Sequence, residues 1–259
     1  MDEKILEHYG GGVELDRFAG GYSRIELVRT KELLDRFLPA APAPVLDVGG
    51  GPGAYAAWLA GRGYHVHLVD PVPLHVEQAA ERGGFTAALG DARRLDEGDS
   101  TYDAVLLLGP LYHLTERVER VGALAEARRV LRPGGIVAAA AISRFASLLD
   151  GLKYDRLGDP AFRAIVERDL AEGQHRNPDR HPEWFTTAYF HRPDELEGEL
   201  AEAGLATEGT FGVEGPGWLL RNLWDDERQR ESVLFAARAV ERDPGLIGLS
   251  AHLLAIARR

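Results

Sequence analysis

Cysteine is absent from the 259 residues and methionine occurs once. Without a thiol, disulfides, thiolate nucleophiles and cysteine zinc sites are excluded, and a reducing, cytoplasmic setting is the default expectation. Long apolar runs are also missing, none approaching the ~18 residues a membrane span needs. The start, Met1-Asp2-Glu3-Lys4, lacks the basic and apolar regions of a signal peptide. Positive charge is scarce: the net charge is −11, and lysine stands only at Lys4, Lys31 and Lys153. No basic stripe gathers to neutralise phosphates, so nucleic acid is disfavoured as a partner. What is there is an ordinary globular composition, 45% hydrophobic, in a length that suits one α/β domain with insertions or two small domains.

The first segment, to about Leu38, reads as helices around the break Gly10-Gly11-Gly12, with Ile25, Val28, Leu33, Leu34 and Phe37 near a helical period. Short apolar runs then alternate with helical patterns. Strands are expected at Pro44–Val48, His65–Val69, Thr86–Leu89, Ala104–Leu108 and Ile136–Ile142, and helices at Ala54–Arg62, Leu74–Arg82 and Arg117–Leu131. Such alternation predicts a mostly parallel sheet covered on both faces. From Arg144 to about Arg192 it stops, and that charged, aromatic stretch is too long for a bare loop. A mostly helical insertion is expected there, then a helix from Pro193, a strand over Ala206–Val213, a long helix over Leu219–Val240 and a last strand over Ser250–Ala257.

Val45-Leu46-Asp47-Val48-Gly49-Gly50-Gly51-Pro52-Gly53 is the sharpest signal. A buried strand enters a glycine turn and a helix follows, so bare backbone and helix N-terminal amides face whatever sits there. Alone this is only a tight turn. Asp70 closes the second strand about twenty residues later, the spacing at which a carboxylate accepts from a ribose diol. The other reading makes Asp70 a cap for the next helix, with Pro71 and Pro73 beside it. A nicotinamide dehydrogenase shares strand, loop and acid, but its G-x-G-x-x-G spacing is not present, and Pro52 removes an amide donor where a pyrophosphate would want one.

Three further motifs follow in order: Gly90-Asp91-Ala92, Tyr102-Asp103-Ala104-Val105, and Arg129-Val130-Leu131-Arg132-Pro133-Gly134-Gly135. With the glycine loop and Asp70 they make the chain resemble the class I S-adenosylmethionine (SAM)-dependent methyltransferases of the small-molecule, type 11/25-like group, from about Pro44 to Ile142. The resemblance implies a Rossmann-like, seven-stranded, mostly parallel sheet whose last strand is antiparallel. It implies one domain over 1–259, with an N-terminal helical lid at 1–43, a SAM-binding core at 44–143, a cap insertion at 144–192 and the rest of the sheet at 193–259. Carried over by position, Gly49, Gly51 and Gly53 line the methionine part of SAM. Asp47 fixes the turn or the amino group, Asp70 and Pro71 meet the ribose, Asp91 and Ala92 flank adenine, and Leu108 and Gly109 pass the sulfonium. Tyr22 and Arg29 in the lid are contacts to the methionine carboxylate, or else a packing residue and a solvated one.

Methyl transfer from a sulfonium is an in-line displacement, so the protein supplies position, a dry site and sometimes a base. His113, just past the fourth strand, is the base expected from the sequence, or else a residue that bonds a backbone carbonyl. Tyr112, Tyr189, His191, Glu214 and Trp218 are the expected acceptor contacts, against the alternative that they build the core of the insertion and a tight turn. His175, His181 and His191 have no metal-ligand spacing, and no metal is expected. The expected partner is a small-molecule O, N or C nucleophile, in secondary metabolism, acted on by a monomer or homodimer. The alternative is a cyclase or carboxymethyl transferase on the same fold, and product S-adenosyl-L-homocysteine separates methyl transfer from the cyclase.

Overall fold

A computed structural model describes residues 23–220 and 226–259. It begins with helix α1 (Ser23–Phe37), then β1 (Pro44–Val48), α2 (Ala54–Ala60), β2 (His65–Asp70), α3 (Pro73–Arg82), β3 (Thr86–Leu89) and β4 (Tyr102–Leu107). A four-residue helix α4 (Pro110–His113), α5 (Arg117–Val130) and the long β5 (Leu131–Ser143) follow. The insertion supplies α6 (Ala146–Lys153), α7 (Pro160–Glu172), β6 (Gln174–His175) and β7 (Ala188–His191). The chain ends with α8 (Pro193–Glu202), β8 (Ala206–Gly212), a 3-10 turn at Gly215–Leu219, α9 (Glu227–Val240), a second 3-10 turn at Ile247–Leu249 and β9 (His252–Arg258).

Strands β3, β2, β1, β4 and β5 pair in that order, all parallel. The other edge of β5 takes β9 antiparallel from Ile136 to Ile142, and β8 closes that side antiparallel to β9. Seven strands with one reversed are therefore present, as the resemblance implies. The two-stranded β6–β7 annex is additional. Ile142 pairs with both His252 and Phe190, so β7 continues the β4 edge of β5 beyond the point where β4 stops.

Alternation explains the two-sided core. Leu46 and Val48, Val105 and Leu107, Val137 and Ala139, Leu253 and Ala255 point to one face, covered by α5 and α8. Val45, Ala104 and Leu106, Ile136 and Ala138, Leu254 and Ile256 point to the other, under α1, α2 and α3. Period-2 side chains on strands buried on both sides give such continuous apolar runs. The strand over Ile136–Ile142 extends further than expected, to Leu131–Ser143, because Leu131 also pairs with Tyr102 across an irregularity that contains Gly134 at φ +81°. The expected helix over Leu219–Val240 starts only at Glu227, capped by Asp226 accepting from Gln229 N at 2.9 Å. Leu219 belongs to the preceding 3-10 turn.

Arg120 on α5 ties the insertion to the sheet. Fully buried, it donates to Glu199 of α8 at 2.6–3.0 Å and, through one nitrogen, to the carbonyls of Leu114 and Thr115 at 2.9 Å. Its guanidinium also lies 3.7 Å from the centre of the Tyr189 ring. Burial alone would raise the Glu199 carboxyl, but hydrogen bonds from His191 and Arg120 hold it below its usual range. Burial pushes the His191 imidazole down, so a neutral His191 donates to an ionised Glu199 at 3.2 Å.

Candidate active site

The first cavity opens at the carboxyl ends of β1, β2 and β4, with an empty volume of about 990 Å³ reaching to open solvent. Backbone makes its floor. Gly49 has φ +69° and hands its N–H to Val69 O at 2.7 Å, and a Cβ there would come within 2.6 Å of Pro110. Gly51 has φ +56° with nothing within 4 Å of where a Cβ would stand, so bare main chain faces the space. Gly53 also has a positive φ, +84°, but is not among the cavity residues. It makes room for Phe85, whose ring would meet a Cβ at 2.6 Å.

Two carboxylates sit beneath the loop. Asp70 accepts from Gly51 N at 2.9 Å on one oxygen, and from Val72 N at 2.9 Å and His75 Nδ1 at 3.1 Å on the other. It thus braces both the glycine turn and the entry to α3. Asp47 lies on the apolar face and is fully buried. Neither of its oxygens makes a hydrogen bond of normal geometry. Burial, and then the nearby Asp70 charge, push its carboxyl up to about 7, against a pull from the Ala56 amide.

Pro71, Asp91, Ala92, Leu108 and Gly109 line the same cavity. Asp91 is heavily engaged: the Arg93 backbone N and Nε reach one oxygen at 2.9 Å and the guanidinium reaches the other at 2.6 Å. The side-chain bond from Arg93 holds its carboxyl below the usual range. Arg29 is neither in the cavity nor solvated. Fully buried, it donates to Val213 O at 3.2 Å and pairs with Glu32 and Glu241, tying α1 to the C-terminal segment. Tyr22 lies outside the described residues.

The second cavity sits over the ends of β5 and β7 and the start of β9, with an empty volume of about 1400 Å³ on the same measure. Phe162, Trp184, Phe185, Phe190, Tyr154 and Trp218 give it aromatic walls, and Glu26, Asp150, Glu183 and Arg156 give it charge. Arg156 donates to Asp150 at 2.8 Å and reaches Glu183 at 3.4 Å, while burial raises the Asp150 carboxyl. Tyr112 lines both cavities. His113 lines only the first, its ring stacked 6.0 Å from Phe185 at 26°.

Of the expected acceptor contacts, Tyr112 and Trp218 face this space, with Trp218 Nε1 donating to Leu249 O at 2.7 Å. Tyr189 and His191 do not. They pack against Arg120 and Glu199 beneath the insertion. Glu214 is also not in the wall but directly behind it. It is fully buried and accepts from His252 N at 3.0 Å and His252 Nδ1 at 2.5 Å. One oxygen each of Glu26 and Glu214 and Nδ1 of His252 lie within 4.8 Å of one another, and both Glu26 and His252 line the cavity. The sequence reading missed Glu26, Asp150 and His252. The spacing of 26, 214 and 252 carries no local pattern, because only the β5–β9 pairing brings the last residue to the first cavity's neighbour.

A glycine-floored cavity at the carboxyl edge of a parallel sheet, with an acid at the end of the second strand, lies where open α/β sheets take their ligands. Residues 45–135 match the family model described as a methyltransferase domain. The chain is 40% identical over 118 residues to an uncharacterized methyltransferase of Mycobacterium bovis, a match covering 45% of this chain and 46% of that one. It thus spans about half the length of this relative. Similarity to a ubiquinone biosynthesis O-methyltransferase of Xylella fastidiosa extends over 197 residues at 28% identity, 72% of this chain and 70% of that one. A solved SAM-dependent methyltransferase from Mesorhizobium loti has the same fold, with a TM-score of 0.62 at 18% identity over 89% of this chain and 98% of that one. Residues 45–135 thus carry a methyltransferase domain, in the fold of solved SAM-dependent methyltransferases.

Proposed function

We propose that this chain methylates a small-molecule O, N or C nucleophile held in the second cavity, with SAM in the first. One observation carries the reading: Tyr112 is a wall of both cavities, so two ligands would meet at that ring. SAM, when bound, supplies an electrophilic methyl on a sulfonium. The chain's residues fit such a group. Gly51 offers open backbone, and Asp47 offers a buried carboxylate without a hydrogen-bonded partner, suited to an ammonium. Asp70 keeps one lone-pair site, on Oδ2, after its three bonds, enough to accept from one hydroxyl of a diol. Leu108, Gly109 and Ala92 give apolar or bare surface where positive charge is dispersed.

Segment 144–192 acts as the cap over the acceptor, within a chain that works as one unit. Its aromatic side chains exclude water and hold an organic frame. Aromatic walls, with three carboxylates against one arginine, favour a hydroxylated or amino-bearing aromatic over an anionic one. No described helix is long and apolar enough to cross a membrane. The proposed setting is the cytoplasm, with the chain acting as a monomer or homodimer.

Calorimetric titration with SAM tests the first cavity. Asp70→Asn should weaken binding at least tenfold, about 1.4 kcal/mol, and NADH should not bind. Affinity retained within threefold in Asp70→Asn would remove the ribose role. Formation of S-adenosylhomocysteine with an acceptor, rather than cofactor binding alone, distinguishes methyl transfer from cyclisation.

A further inference from the structure

We infer that His252, held by Glu214 and faced by Glu26, is the general base of the second cavity, in place of His113. The inference rests on the methyl-transfer reading above. His252 is the first residue of β9, and its own N–H and its Nδ1 both reach Glu214, at 3.0 and 2.5 Å. The carboxylate is fully buried, so it accepts two bonds from one residue and fixes the ring against the strand. A carboxylate that accepts at Nδ1 places the proton there and leaves the lone pair on Nε2. That is the tautomer a base requires, and a carboxylate behind the ring stabilises the imidazolium that forms. Glu26 brings a second negative oxygen 3.9 Å from the same Nδ1, which adds to that stabilisation. The ring lines the cavity, whereas His113 belongs to the cofactor side and meets the second cavity through Phe185.

The step balances. The acceptor X–H bond breaks and its proton goes to Nε2. The electron pair on X forms the bond to the methyl carbon as the C–S bond breaks, and that pair stays on sulfur as S-adenosylhomocysteine leaves. The imidazolium returns its proton to water. Of the charged groups near the ring, Glu214 and Glu26 stand against it, while Asp150 and His175 line the same cavity further off. The same three groups form a donor set for a divalent cation, so metal uptake is one arm of the test.

Two readouts test this. Long-range 1H–15N correlation spectra of the imidazole rings in the intact protein should show His252 protonated at Nδ1. Glu214→Gln should release that preference, and His113→Gln should leave it unchanged. A proton on Nε2 in the wild type overturns the dyad. In parallel, S-adenosylhomocysteine release is followed with tyramine and dopamine as probes. His252→Gln should lower kcat at least a hundredfold with KM within threefold, and Glu214→Gln by about tenfold or more. Activity kept within threefold in His252→Gln, with unchanged SAM affinity, overturns the base while leaving methyl transfer intact. A wild type that binds SAM yet turns over neither probe counts against the proposed activity, and the tautomer still decides the dyad. Stoichiometric Mn2+ uptake that is lost in Glu214→Gln would make the trio a metal site and overturn the inference.

Discussion

The two cavities are built from different materials. The first takes its shape from main chain: positive-φ glycines on one strand–turn–helix unit, braced by Asp70 from the neighbouring strand. The second takes its shape from side chains of segments far apart in sequence, from Glu26 on α1 to His252 on β9. A backbone-built site tolerates little change at its glycines, because an added Cβ has a fixed position. A side-chain-built site can be re-cut one residue at a time without disturbing its neighbour. This difference is what lets one fold keep a cofactor and change an acceptor.

Mutations test how separate the two really are. The largest effect is expected where the insertion is tied to the sheet. Arg120→Met leaves Glu199 buried without its guanidinium and should cost about 3–5 kcal/mol in urea unfolding. Adding Glu199→Gln should restore part of that loss, and failure to do so would deny that the pair is coupled. Next is Gly49→Ala. At φ +69°, with Pro110 2.6 Å from the new Cβ, strain and clash together should cost about 2–3 kcal/mol and lower SAM affinity more than tenfold. Full retention of affinity would mean that the loop is not the rigid floor described here.

Asp47→Asn acts through pH. The folded carboxyl titrates near 7 against an ordinary 3.8, so between those values the folded chain holds a proton that the unfolded chain has released. Stability of the ligand-free protein therefore falls as pH rises from about 4 to about 7, and the deficit is complete above 7. The asparagine variant should be more stable than the wild type at pH 8 and equal to it below pH 4 in thermal melts. An equal difference at both pH values would place the effect in packing. The smallest effect on the first cavity is expected from Trp184→Ala. It removes a ring stacked on His181 at 4.3 Å and set edge-on to Phe162 at 5.3 Å, and should leave SAM affinity within about twofold. A larger change would show that the cavities are not independent.

The same contrast explains what could be read from the chain. Strands β1, β2, β4 and β5 announce themselves because burial on both faces leaves only apolar residues and glycine turns. Asp70 was legible because its distance from the loop is set by one helix and one strand. Asp47 was legible as a position, yet nothing local says that its charge is buried without a partner. Arg29 resembled a surface cation on a helix. Its burial follows from Val213 and Glu241 arriving beside it, some two hundred residues later. Tyr189 and His191 looked like a pocket roof because aromatics alternate with polar tips there. That alternation is simply β7 presenting Phe190 to one side and its neighbours to Arg120 and Glu199 on the other.

The glycine at 49 and the proline at 110 share one further property. Pro110 occupies the volume that any other residue at 49 would fill, and two residues on, along the single turn of α4, stands Tyr112. The glycine floor of one cavity and a wall of the other are thus separated by a single helical turn. Any ligand that shifts the first should be felt by a spectroscopic label in the second.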